Sequence, residues 1–461
     1  MAAIAQEGLT ENWSSRLTFL MASIGFSVGL GNIWRFPYVT GENGGAAFVL
    51  VYLACAVCIG VPLVMSEWAI GRRSKGAASA AGSFKNVAKQ NKLSSRWSGV
   101  GGIGIAAVFL LMLTYTVITG WTLDYFTMAI VGEFNQINAQ QSQSIFNELM
   151  ADPIRLIFWH SIVVIAIMLI NARGLQGGIE KAVSILMPSL FVCMIVMVIY
   201  AGFVGDMNAA VKFLLTPDFS QITGKTFLLA LGQAFFSIGI AMAVMVTYGS
   251  YLSKETSITK NAFIVVFADT FVAMLAGFAI FPLVFAHGLT PDAGAGLVFQ
   301  VLPIALGDLP GGQIFSGIFF LLLIAAAFTS CIGNFEPIIA WTSERFTMTR
   351  KKATFVSGLV MWLLGISSVL SLNILKEFHP LGFINLFEGK TIFENFDYIS
   401  ASILLPLGGL LTAIFVGWRI PAKEMQAELG LKRTAFAIWQ GLIRYLVPVA
   451  IIIVFISGIT S

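Results

Sequence analysis

The stretch SVGLGNIWRFPYVTGENGG, Ser27 to Gly45, decides how this chain folds. It lies in an apolar run long enough to cross a bilayer, yet Gly29 and Gly31 interrupt the helix, and Arg35 follows beside Phe36 and Pro37. Neither choice suits a helix surrounded by lipid. Opening a helix in hydrocarbon frees amide N–H groups and carbonyls, each costing several kcal/mol while unpaired, so a break survives only where something polar meets it. The amides around Leu30 and Gly31 would begin an outer half-helix and suit a carboxylate. The carbonyls around Gly25, Ser27 and Val28 would end the inner half and suit a small hard cation. Glycine pairs also mark places where membrane helices cross closely, so for this stretch alone a packing role stays open.

The rest of the sequence supplies the membrane. Of 461 residues, 57% are hydrophobic and 11% charged, against about 25% charged in a soluble domain. Apolar runs of spanning length recur throughout and leave no room for a sizeable soluble domain. The net charge of +4 gives no reason to expect a nucleic-acid partner; the bilayer is the partner that composition implies. The N-terminal MAAIAQEGLTENW has neither a basic start nor a small-residue cleavage site, so the first span is expected to do the targeting. Cys55, Cys58, Cys193 and Cys331 all lie in apolar runs and suggest packing rather than disulfides or a zinc site. His160, His287 and His379 sit near span ends without ligand spacing.

Eleven spans are expected: 16–40, 46–71, 100–130, 154–172, 179–202, 225–252, 261–287, 314–341, 353–372, 397–418 and 435–459. Seven Lys and Arg crowd the loop from Arg72 to Arg96, and alternate later loops carry Arg345, Arg350, Lys351, Lys352, Arg419, Lys423, Lys432 and Arg433. Those loops are read as cytoplasmic, which puts the N-terminus inside and the C-terminus outside a cell membrane. Spans 1 and 6 are each interrupted at mid-membrane, the second time in FFSIGIAM, Phe235 to Met242. Five spans per half give the halves opposite orientation, the inverted repeat of secondary transporters. The expectation is one transporter domain over 1–461, with a first repeat at about 13–202, a second at about 225–418 and an additional helix at about 435–459.

Asp269, in VVFADTFVAML, is an intramembrane carboxylate with no basic residue within a turn, so it needs a cation from elsewhere. With Asn32 and Ser237 it would make an oxygen cage. In AAAFTSCIGNFEP, the residues Ala326, Thr329 and Ser330 share one helical face and offer a second possible cation site; hydroxyls that bond back to their own helix would look the same in sequence. Gly178 and Pro188 could loosen the fifth span or merely kink it.

The motifs GLGNIWRFPY, ENGG, SEWAIGR, GQAFFS, TYGSYL and FTS resemble those of the neurotransmitter:sodium symporters of the leucine-transporter fold, in order from Trp13 to about Trp418. Within that family the likeness is to bacterial transporters of hydrophobic amino acids. It implies a first sodium site at the Ser27 carbonyl, Asn32, Ser237 and Asp269, with the substrate carboxylate as a further ligand. It implies a second at the carbonyls of Gly25, Val28 and Ala326 and the hydroxyls of Thr329 and Ser330. The substrate carboxylate would meet the Leu30 and Gly31 amides and the Tyr115 hydroxyl, and its side chain a pocket of Leu111, Phe236, Gly239, Met242 and Asn334. Gly239 and Met242 would leave volume for large aliphatic and aromatic side chains, and Asn334 would face an indole or phenol. Arg35 would pair with Asp397 as an outer gate, with Tyr115 and Phe236 closing over the substrate. Trp13, Tyr251 and Glu344 would serve the inner gate, where Thr10 replaces the family's usual Arg.

Two departures shape the expectation. Position 269 is Asp where Asn is usual, and position 273 is Ala where relatives place a chloride-binding Ser or a substituting Glu. An anionic Asp269 would supply that negative charge, so transport without chloride is expected. The span count is one short of the family's usual number, so a dimer contact through a last helix is not expected and a monomer would suffice. The reading is an all-α membrane protein that couples uptake of hydrophobic L-amino acids to two sodium ions by alternating access, and not an enzyme. The rivals are a proton-coupled transporter using Asp269 or Glu67, and a substrate-gated channel.

Overall fold

The computed structural model describes residues 11–74, 76–288 and 296–460; Thr10 lies outside them. The described chain is helical, with nine unbroken apolar helices long enough to cross a bilayer: Ala46–Arg73, Ser95–Val131, Pro153–Asn171, Leu175–Val204, Ile258–Ala286, Gly312–Phe346, Arg350–Leu370, Ile392–Arg419 and Arg433–Ile459. Two more spans are broken. Arg16–Ser27 and Gly31–Glu42 meet at an angle of 48°, and Gly224–Ile238 is separated from Val244–Ser250 by the non-helical Gly239–Ala243 segment. With both, the expected eleven spans are present.

Local chemistry explains the joints. Ser15 caps the first half-helix by accepting from the Thr18 amide. The ENGG turn ends the first span because Gly44 and Gly45 take φ of +83° and +58°, values that L side chains avoid. A Cβ at Gly45 would also sit 2.4 Å from the Phe213 carbonyl oxygen. The fifth span stays wound through Gly178 and Pro188, with only a π-helical first turn at Leu175–Glu180.

Burial separates a core from a rim. The windows of the second, third and eighth spans are 67% buried inside the bundle, whereas that of the last span is only 22% buried and leaves its Ile- and Val-rich face to lipid. The two broken spans lie among the buried helices, with Asn32, Ser237 and Asp269 at 0–2% exposure. Polar atoms at that depth must satisfy one another.

Candidate functional site

The first break is a rearrangement of specific hydrogen bonds. In an unbroken helix the Gly29, Leu30 and Asn32 amides would donate to Gly25, Phe26 and Val28. Instead the Gly29 N–H donates to Asn32 Oδ1 at 3.1 Å and the Leu30 N–H to the Tyr115 hydroxyl at 3.1 Å. The Asn32 N–H turns to the Gly29 carbonyl at 3.1 Å. Val28 itself is extended, with ψ of 92°. The Gly25, Phe26 and Val28 carbonyls thereby lose their helical donors. That of Phe26 accepts from Ser330 Oγ at 3.0 Å.

In the sixth span, Gly239 ends the half-helix in the left-handed region at φ +72°. Ala241 and Ala243 follow at φ +64° and +61°, which costs non-glycine residues about 1–3 kcal/mol each. Glu67, buried in the second span, offsets part of this by accepting from the Ala241 N–H at 2.8 Å. Gln233 ties the two broken spans together, its Nε2 donating to the Gly31 carbonyl at 2.8 Å.

Asp269 is the hub between them. Its Oδ1 accepts from Asn32 Nδ2 at 2.8 Å; its Oδ2 accepts from Ser237 Oγ at 2.8 Å and from the Tyr52 hydroxyl at 3.0 Å. Ser27 reaches the same region, its hydroxyl donating to the Ile238 carbonyl at 3.1 Å. A fully buried carboxylate held by two hydroxyls and the Asn32 amide, close to the carbonyls freed at the break, is an oxygen-rich environment suited to a cation. The expected first-site residues are therefore assembled, together with Tyr52, which the sequence reading missed.

Of the second expected set, Gly25, Ala326, Thr329 and Ser330 are brought together, with Thr329 bonded back to its own helix. Thr329 Oγ1 donates to the carbonyls of Ala325 at 3.0 Å and Ala326 at 2.9 Å. A Cβ on Gly25 would lie 3.3 Å from the Thr329 Cβ, and one on Gly29 only 2.3 Å from Ser330 Oγ. Glycines at these positions let the broken backbone approach the two hydroxyls.

Gly31, Leu111, Tyr115, Phe236, Gly239, Met242 and Asn334 border a chamber of about 20 Å³, enough for about one water. Leu30 lines a wider cavity of about 260 Å³ that shares Leu111, Tyr115 and Phe236 with the chamber and also contains Arg35 and Asp397. Two expectations change here. The space at Gly239 is filled by Phe26, whose Cζ lies 2.3 Å from where a Cβ would stand, so admitting a large side chain requires a ring to move. Arg35 and Asp397 form no ion pair among the described residues; the wide cavity lies between their helices, and the Arg35 guanidinium rests 5.0 Å from the Phe236 ring centre.

The opposite, basic end carries a network only partly foreseen. The Trp13 indole donates to the Tyr248 carbonyl at 3.1 Å, and the Tyr251 hydroxyl donates to Glu336 Oε1 at 2.9 Å. Arg350 grips Glu336 with two hydrogen bonds and reaches Glu11 at 3.1 Å. Glu344 is not part of this cluster: it accepts from the Ser79 N–H at 3.0 Å, at the N-terminus of the Ala80–Gln90 helix. Glu336 stood in the quoted AAAFTSCIGNFEP as an intramembrane carboxylate, and that was the signal for it.

The comparisons agree with this geometry. The sequence profile of the sodium:neurotransmitter symporter family matches residues 10–148 and 151–461. The chain is 37% identical to the sodium-dependent transporter YhdH of Bacillus subtilis, over 97% of this chain and 98% of that protein. It is 38% identical to a sodium-dependent transporter of Haemophilus influenzae, with the same coverage. The crystal structure of MhsT in complex with L-phenylalanine superposes with a TM-score of 0.87 at 40% identity, covering 97% of this chain and 99% of that one. A chain with two broken spans meeting at a buried oxygen cluster, matched along nearly its whole length, belongs to the sodium:neurotransmitter symporter family and is a sodium-dependent membrane transporter of the leucine-transporter fold, not an enzyme.

Proposed function

We propose that this protein takes up hydrophobic L-amino acids, large aliphatic and aromatic ones included, by symport with two sodium ions and without chloride. The observation that carries this is the Leu30 amide: freed from its helix, it is presented with the Tyr115 hydroxyl beside the Asp269 cluster. A substrate carboxylate arriving there exchanges one acceptor for another at Leu30 and stands next to the first cation, so ion and amino acid raise each other's affinity. The Gly25, Val28 and Ala326 carbonyls with Thr329 and Ser330 would hold the second ion.

The apolar lining supports a hydrophobic substrate. Leu111, Phe236 and Met242 give it no polar partner, while the buried Asn334 amide oxygen has no hydrogen-bond partner and would accept from an indole or phenol. MhsT, crystallised with L-phenylalanine, is consistent with that class. Chloride independence rests on Asp269, a fixed anion where Ala273 offers no ligand.

The basic loops would face the cytoplasm, with the N-terminus inside and the C-terminus outside. The two five-helix repeats, about 13–202 and 225–418, would move about the midplane site in alternating access, and one copy of the chain would suffice. The proton-coupled alternative draws on Glu67, whose Oε2 is buried without a partner; membership of a sodium-dependent family weighs against it. Competition of labelled leucine uptake by all twenty amino acids, with and without sodium, tests the class and the ion together. Inhibition confined to hydrophobic amino acids and to sodium is expected; inhibition by charged or small polar amino acids would refute the substrate class.

A further inference from the structure

A separate cavity of about 490 Å³ opens on the flank of the bundle, between the third, eighth and ninth spans. Its lining runs from Gly102, in the first turns of the third span, to Phe346, which ends the eighth, and to Val356 and Val360 in the first half of the ninth. It therefore lies at the basic end of the molecule, in contact with one leaflet only. The wall is apolar, and its two hydroxyls, Thr342 and Ser357, bond to each other at 2.9 Å. Apart from the Trp341 indole N–H, the lining side chains thus offer a guest little that is polar. A Cβ on Gly102 would meet nothing within 4 Å, so the groove is open there.

The mouth has the opposite character. Arg345 lies one turn beyond Trp341 and Thr342 on the same helical face, and Lys352 one turn before Val356. Both are exposed, and neither is ion-paired among the described residues. The neighbouring acid, Glu344, is engaged with the Ser79 amide. Between the two cations begins the 21-residue ninth span, whose N-cap Thr349 makes no side-chain capping bond, so its first amides also favour an anion. Long basic side chains at this depth reach toward the headgroup layer.

We propose that this cleft binds an anionic glycerophospholipid of the basic-side leaflet, with one acyl chain in the groove and the phosphate between Arg345 and Lys352. The apolar length and the adjoining cations match the two parts of such a molecule. A zwitterionic lipid would bring its own cation against Arg345 and Lys352 and is disfavoured by repulsion.

The test uses purified full-length protein in detergent, titrated with phosphatidylglycerol or phosphatidylcholine, with bound lipid counted by native mass spectrometry. Phosphatidylglycerol is expected to be retained more tightly, and Arg345→Ala and Lys352→Ala each to weaken it about fivefold. Ala106→Trp, at an exposed position on the groove wall, should displace the chain and abolish the preference; a thermal unfolding curve establishes that the variant is folded, and the two charge variants stand as the test should it not be. Equal retention of the two lipids by the wild type, or undiminished phosphatidylglycerol binding in the folded Ala106→Trp protein or in the double charge variant, would overturn the proposal.

Discussion

The Tyr115 hydroxyl lies 3.1 Å from the backbone nitrogen of Leu30 and accepts the hydrogen bond that an unbroken helix would direct to the Phe26 carbonyl. One side chain of the third span therefore holds open the first. Once the substrate carboxylate takes over the Leu30 amide, the Tyr115 hydroxyl is free to donate to that carboxylate, and Tyr115→Phe removes this charge-assisted hydrogen bond, worth about 1.5–3 kcal/mol. Labelled leucine should bind about tenfold more weakly to this variant in saturating sodium, measured by equilibrium binding; unchanged affinity would detach Tyr115 from the substrate site.

In the proposed first cation site, Asp269 would supply the fixed charge. Asp269→Asn keeps the shape and loses the charge, so the sodium concentration for half-maximal leucine binding should rise at least tenfold. Replacing chloride by gluconate should leave wild-type uptake unchanged if, as proposed, Asp269 supplies the anion. A chloride requirement in the wild type would refute this.

Gly239 combines a φ of +72° with a ring 2.3 Å from its missing Cβ. Gly239→Ala should lower stability by about 1–3 kcal/mol, seen as a depressed thermal inactivation temperature. Phe26→Leu in the same chain should recover part of the loss, since it withdraws the clashing atoms.

At the basic end, Glu336 is fully buried and depends on Arg350 and Tyr251. Arg350→Ala strands a buried carboxylate and should destabilise this network by about 3–5 kcal/mol. Faster thiol labelling of a cysteine placed at Tyr248 is the expected readout, and Glu336→Gln with Arg350→Ala should restore part of the protection.

Burial raises the Glu11 carboxyl above its usual range, against the opposing pull of Arg350. A carboxyl whose pKa is higher docked than free binds its proton more tightly when docked, so docking strengthens as pH falls through the raised value and weakens above it. Hydrogen-exchange protection of residues 12–15, corrected for intrinsic rates, should rise toward acid pH in the wild type and stay level in Glu11→Gln. Protection that falls toward acid pH would mean that the ion pair with Arg350 outweighs desolvation.

How much of this was legible in the sequence follows from depth and distance along the chain. The break at Val28–Leu30 could be read because glycines in a spanning run have a direct local consequence, and Asp269 because a lone intramembrane carboxylate needs partners. Glu336 and Glu344 lie two turns apart on one helix face, so periodicity could not say which is buried with Arg350 and which caps the Ala80–Gln90 helix. The filling of the Gly239 space by Phe26 and the separation of Arg35 from Asp397 depend on how distant helices pack, which local pattern does not encode. Tyr52 was hidden because a hydroxyl in an aromatic side chain adds almost nothing to an apolar run.

Uptake as proposed rests on the coupling of an amino acid to sodium at the broken-helix site. Its most direct test is accumulation of labelled leucine in proteoliposomes under an inward sodium gradient, against an identical choline gradient at fixed pH. Leucine concentrated above equilibrium with sodium and not with choline is the predicted result. Uphill accumulation that survives in choline would contradict it and assign the coupling to a proton.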